Sequence, residues 1–94
     1  MKKFRRFKDR LKEDLKNPEF KKAFHKEEIF ASLAIQIAKI RKTEGLSQQE
    51  LAEKLHTTQQ TVSRLENTDN RSYSLNTLIK LADVLHKKLK IELV

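Results

Sequence analysis

Cysteine is absent from this chain, and glycine and proline occur once each in its 94 residues. Without cysteine there are no disulfides and no thiolate chemistry, an absence that fits a reducing cytoplasm. With so few breakers, and with apolar residues recurring at spacings of three and four, the expected fold is all-α. No apolar run approaches the ~20 residues of a membrane span, and the opening MKKFRRFKDRLKEDL has no signal-peptide core. No membrane span is expected. Catalysis is equally poorly provided for. His25, His56 and His86 are scattered, no two carboxylates sit at an acid–base or metal-ligand spacing, and no glycine-rich phosphate loop exists. No enzyme, no metal and no cofactor is expected.

What the chain does carry is positive charge. A formal net charge of +8 and a pI near 9.9 favour a polyanionic partner such as nucleic acid. The excess is uneven: residues 1–16 hold a net +5, residues 17–30 are neutral, and residues 31–94 hold +3. Phe4, Phe7, Leu11 and Leu15 form a narrow apolar stripe on the basic first segment, which reads as an amphipathic helix. It stops at Asn17-Pro18, where Asn suits an N-cap and Pro a first helical position. The division expected is therefore residues 1–17 as an N-terminal basic helix and 18–94 as the main domain. A second helix begins at Pro18 and runs, with a possible division at a kink near Lys26, through Phe30, Leu33, Ala34, Ile37, Ala38 and Ile40.

Gly45, after Arg41 and Lys42, suits a left-handed C-terminal cap. SQQE then follows, with Ser47 and Glu50 spaced for a capping box and Leu46 and Leu51 for a hydrophobic staple. The next helix buries Leu51, Ala52 and Leu55. A turn of about three residues leads into TTQQTVSRLEN, which has only Val62 and Leu65 to bury. Two short helices joined in this way make a helix-turn-helix, the motif spanning residues 47–67. Ala52 is small where the two helices cross. Gln60, Ser63, Arg64 and Asn67 lie opposite Val62 and Leu65, with Gln59 at the leading end. That composition suits base edges better than solvent. Gln matches adenine N6 and N7, Arg matches guanine O6 and N7, and a threonine methyl can meet the thymine methyl. Thr58 is placed to cap the helix and leave its positive end near a phosphate.

LSQQELAEKLHTTQQTVSRLEN resembles the helix-turn-helix of the Xre/Cro/cI class, and TTQQ with LEN is similar to the recognition helix of lambdoid phage repressors. The resemblance implies a five- to six-helix, lambda-repressor-like DNA-binding domain. It implies a phosphate contact for Gln48, base reading by Gln59 and Gln60, and a structural ion pair between Arg41 and Glu66. Arg64 stands where that group has a third glutamine, which points to guanine at that step. His56 stands where the turn has glycine, at a cost on the order of 1 kcal/mol for a left-handed backbone. The full set expected at DNA is Gln48, Thr58, Gln59, Gln60, Thr61, Ser63, Arg64, Asn67 and Arg71.

The flanks LKNPEFKKAFHKEE and SLNTLIKLADVLHKKLKIEL resemble HigA-type antitoxins. These neutralise a RelE/HigB-like ribonuclease toxin and repress their own operon. The resemblance places Phe4, Phe7, Leu11 and Leu15 in a groove on the toxin. The segment's positive charge argues against a groove on an RNA-binding, basic toxin, and from the residues alone packing on the chain's own domain serves equally; a basic arm along DNA phosphate or a membrane-surface helix are further readings. Ser74 caps a last helix whose core stripe reads Leu75, Leu78, Ile79, Ala82 and Leu85. KLKIELV then alternates, with Leu89, Ile91 and Leu93 on one face. A short β-strand over 88–94, paired with the same strand of a second copy, is expected, against the other reading of a helix that continues to the end. Such a homodimer would present two recognition helices ~34 Å apart to a palindromic operator in double-stranded DNA. Two functions follow: a cytoplasmic antitoxin that is also a repressor, or a stand-alone phage-type repressor. RNA binding is third, because this helix suits the B-form major groove.

Overall fold

The structure, a computed structural model, describes residues 16–94. The expected basic helix, with Phe4, Phe7, Leu11 and Leu15, lies outside the described residues. Four helices follow in order: α1 (Pro18–Thr43), α2 (Gln48–Lys54), α3 (Gln59–Leu65) and α4 (Leu75–Val84).

Each helix starts where a short polar side chain can accept the first orphan amides. Asn17 Oδ1 accepts from the amides of Glu19 at 3.0 Å and Phe20 at 3.4 Å, with Pro18 at the position that needs no donor. Ser47 and Glu50 close the capping box, with Glu50 N to Ser47 Oγ at 3.0 Å and Ser47 N to Glu50 Oε1 at 3.1 Å. Thr58 Oγ1 accepts from Thr61 N, and Ser74 Oγ from Thr77 N.

Three of the four helices also end alike. After α1, Gly45 has φ +73°, its amide donates to Lys42 O, and the amide of Leu46 donates to Arg41 O. This pair of bonds is the Schellman closure. The same two bonds close α2 around His56 (φ 55°), through Ala52 O and Glu53 O. They close α4 around His86 (φ 56°), through Ala82 O and Asp83 O. His56 therefore closes α2 with the same turn that glycine makes after α1.

The core forms where the four helices meet. Ile37 of α1, Leu51 and Ala52 of α2, Val62 and Leu65 of α3, Leu81 of α4 and Leu85 just beyond it are buried together. Leu51 and Val62 are fully enclosed, each stabilising the fold by roughly 1.5–3 kcal/mol over an exposed position. Ala52, 3% exposed, lets α2 and α3 approach.

Three expectations need correcting. The described residues hold four helices rather than five or six, because residues 18–43 form one unbroken helix. Nothing there interrupts it: the only proline is at its first position and the only glycine lies beyond its end. Second, no β-strand occurs among the described residues, and residues 87–94 have no regular structure. Lys90 and Glu92 pair at 3.0 Å, as i and i+2 side chains do in an extended chain, yet no other segment among the described residues offers that backbone a ladder to join. Alternation alone does not make a strand. Third, the inner face of α4 is Leu78, Leu81 and Leu85, while Leu75 and Ile79 are 53% and 51% exposed.

Candidate nucleic-acid interface

The short helix α3 is held to the domain by Val62 and Leu65, and everything else on it follows from that anchorage. At 100° per residue, Gln60, Ser63 and Arg64 point away from those two side chains, and Asn67 follows just beyond the C-cap. All four are exposed, as are Gln59 at the leading end and its cap Thr58. Among the described residues, no side-chain hydrogen bond engages Gln59, Gln60, Ser63 or Arg64. Thr61 is half-buried, its hydroxyl 3.0 Å from that of Thr58. Asn67 turns its Oδ1 back on the amide of Asp69 at 2.8 Å and so shapes the loop that follows.

Beneath α3 lies a polar junction. Glu66, its C-cap, accepts from Arg41 Nε at 2.6 Å, Arg41 Nη2 at 3.0 Å and Gln48 Nε2 at 3.2 Å. Arg41 Nη1 donates to Leu46 O at 2.7 Å. The hydrogen bonds to Glu66 raise the affinity of the Arg41 guanidinium for its proton, against a smaller opposing effect of burial. One carboxylate thus joins the end of α1, the start of α2 and the end of α3. Gln48, expected at a phosphate, has one amide hydrogen committed to this junction and is half-buried. A second amide hydrogen is left for a phosphate oxygen.

Arg71 is placed differently from the α3 residues. Its guanidinium is engaged by Glu27 of α1 and lies 5.5 Å over the Phe30 ring. Phe30 in turn stacks on Tyr73, with centroids 6.2 Å apart, and Tyr73 donates its hydroxyl to Leu65 O at 2.7 Å. This bond satisfies a carbonyl at the open end of α3. Glu27, Phe30 and Tyr73 therefore steady α3, and sequence reading missed Glu27 and Tyr73. The one available signal was that Tyr73, the only tyrosine of the chain, falls in a polar loop with no apolar periodicity.

The residues expected to dimerise are not brought together. Leu89 is half-buried in a cleft lined by Leu33, Ile37, Leu78 and Leu85, whereas Ile91 and Leu93 are exposed.

A family model described as helix-turn-helix matches residues 37–91, more than half of the chain. The chain belongs to the Xre/Cro/cI-type helix-turn-helix family. It is thereby a DNA-binding transcription regulator of a family that is not typically enzymatic. Neither a curated protein nor a solved structure matches it. The matched span takes in the Glu66 junction, both short helices, α4 and part of the tail, and leaves out most of α1. No helix of the described residues is long and apolar enough to cross a membrane.

Proposed function

We propose that this helix-turn-helix regulator is the cytoplasmic antitoxin of a type II toxin–antitoxin pair, neutralising a RelE/HigB-like ribonuclease and repressing its own operon as a homodimer. The observation that carries the DNA-binding half is the outward row of Gln60, Ser63, Arg64 and Asn67, headed by Gln59. These side chains are exposed while Val62 and Leu65 fix the helix that bears all of them but Asn67, which follows its C-cap. A row of amides and one guanidinium, at the width of one helix, fits the donor and acceptor pattern of a major groove.

The partner half rests on α1 and on the flanks' likeness to HigA-type antitoxins. The first two turns of α1 carry a stacked pair, Phe20 and Phe24, with centroids 6.3 Å apart. Apolar side chains displayed along one helix fit a groove on a partner protein. Pairing of two copies is supported by the half-exposed Leu75 and Ile79, one turn apart on α4, and by the exposed Ile91 and Leu93. A dimer doubles the base pairs read and accounts for a palindromic operator.

Affinity purification of the full chain from its host, with selection of bound duplex from a random pool, tests the reading. The expected result is a co-purified small basic ribonuclease, whose toxicity this chain relieves on co-expression, and an inverted-repeat DNA motif. A clear DNA motif with no ribonuclease partner would make the chain a stand-alone repressor. No motif at all would defeat the operator role.

A further inference from the structure

Among the described residues two arginine–glutamate pairs join distant parts of the chain, and they differ in one respect. Arg41 and Glu66 are enclosed, their side chains 10% and 6% exposed, whereas Arg71 and Glu27 are 39% and 53% exposed. An enclosed pair cannot change partners without unfolding. An open pair can, because an exposed ion pair is weak and its partners remain in water.

The Arg71 guanidinium presents a fork to Glu27. Nε donates to Oε1 at 3.1 Å and Nη2 donates to Oε2. The third nitrogen does something else: Nη1 donates to the carbonyls of Thr68 at 2.8 Å and Asn70 at 3.2 Å, and the Phe30 ring lies beneath the plane. The group is thus oriented from behind by its own loop and ring, and Glu27 occupies only its outer edge. A two-pronged edge of this kind fits a phosphate as well as a carboxylate. The loop that bears it, residues 66–74, runs directly from the end of the recognition helix and exposes Asn67 and Thr68.

We propose that Arg71 is a restrained phosphate-binding residue: the Glu27 carboxylate holds the place of a DNA phosphate in the free protein and gives it up when duplex binds. The inference rests on the DNA-binding reading above and deepens it. Glu27 then acts as an internal competitor. It lowers affinity for any duplex, operator and random alike, because a phosphate contact is common to all sequences. The pair therefore sets how tightly the protein holds DNA and leaves the choice of sequence to the residues that meet base edges.

The test measures binding of the full chain to a random-sequence duplex and to the selected operator over a range of salt, by fluorescence anisotropy. Glu27→Gln should tighten binding to the random duplex several-fold at low salt. Arg71→Gln should weaken binding to both duplexes and reduce the slope of log affinity against log salt by about one. In the Arg71→Gln background, Glu27→Gln should do no more than Glu28→Gln. Glu28 is one residue along α1, loses the same charge, and faces His25 instead. Equal tightening by Glu27→Gln and Glu28→Gln would reduce the effect to net charge and overturn the proposal. Weakened binding in Glu27→Gln would overturn it too, by making the pair a scaffold. The Nε–H resonance of Arg71, followed in the wild-type chain, should move on addition of random duplex; a stationary signal alongside measurable binding refutes the exchange. A wild-type chain that binds no duplex defeats the DNA-binding reading and this proposal together, whereas the other failures leave that reading standing.

Discussion

The Arg41 guanidinium reaches the Glu66 carboxylate across 25 residues of sequence and grips it through two nitrogens, Nε at 2.6 Å and Nη2 at 3.0 Å. Because Gln48 and the Leu46 carbonyl complete the set, every strong group at this junction has a partner. Removing one member leaves a charge buried without its complement. Arg41→Met or Glu66→Gln should each lower stability by about 3–5 kcal/mol, much of the ~5–15 kcal/mol available to a domain of this size. The double variant should lose less than the two losses added, since neither orphaned charge remains. Urea unfolding midpoints, at an unchanged slope, measure this. A loss below 1 kcal/mol in either single variant would show that the junction is solvated.

His56 and His86 occupy the left-handed position that glycine fills after α1. A side chain there meets its own backbone, so each histidine is strained by on the order of 1 kcal/mol. His56→Gly and His86→Gly should each stabilise the fold by about 0.5–1 kcal/mol. The gain is trimmed because glycine also loosens the unfolded chain. Gly45→Ala should destabilise by about 1 kcal/mol from backbone strain alone, since an added methyl group at that position would touch nothing. Thermal melts of the three variants decide this, and a neutral His56→Gly would mean that the imidazole makes a compensating contact.

Helix starts were legible because each is a local transaction. Asn17, Ser47, Thr58 and Ser74 each serve amides two or three residues away, and a short polar residue before an apolar period announces them. The outward face of α3 was legible for a related reason, since two apolar anchors at i and i+3 leave only one side to the interior. The inner face of α4 was not. Leu75, Leu78, Ile79, Leu81, Ala82, Val84 and Leu85 crowd the helix so densely that several stripes can be drawn, and only the packing of the whole core chooses Leu81 over Ile79. The tail failed for a different reason. A strand is a property of two segments, and alternation in one of them says nothing of the other. The Arg71–Glu27 contact spans 44 residues and was invisible for want of any periodic relation between its ends.

Glu50 gives the domain a pH signature. Its carboxylate accepts from the amide of Ser47 and lies beside the Ser47 hydroxyl, and this setting favours the ionised form and holds its pKa below the usual carboxylate range. A group whose folded pKa is depressed contributes stability above its unfolded pKa and loses it as pH falls through the folded value. Glu50→Gln keeps the shape of the capping box without the charge. The melting temperature of the wild-type chain should exceed that of Glu50→Gln at neutral pH, and the gap should close as pH drops below about 4. A gap that persists at pH 2 would assign the difference to geometry rather than ionisation.

The strongest consequence concerns Gln59, Gln60 and Arg64, because they separate reading from holding. A side chain that meets a base edge contributes to one sequence and not to others, whereas one that meets phosphate contributes to all. Gln59→Ala and Gln60→Ala should therefore each weaken binding to the selected operator by about 1–3 kcal/mol while leaving random duplex almost unchanged. Arg64 offers the sharper version, since its guanidinium matches guanine in the major groove and a glutamine at the same place matches adenine. Arg64→Gln should move the preference at one base pair in each half-site from guanine toward adenine, with the remainder of the motif intact. The junction at Glu66 is not touched by these changes, so folding should be unaffected and melting curves serve as the control. If Gln60→Ala weakened operator and random duplex alike, the row on α3 would be lying on the backbone. The protein's specificity would then have to come from DNA shape instead.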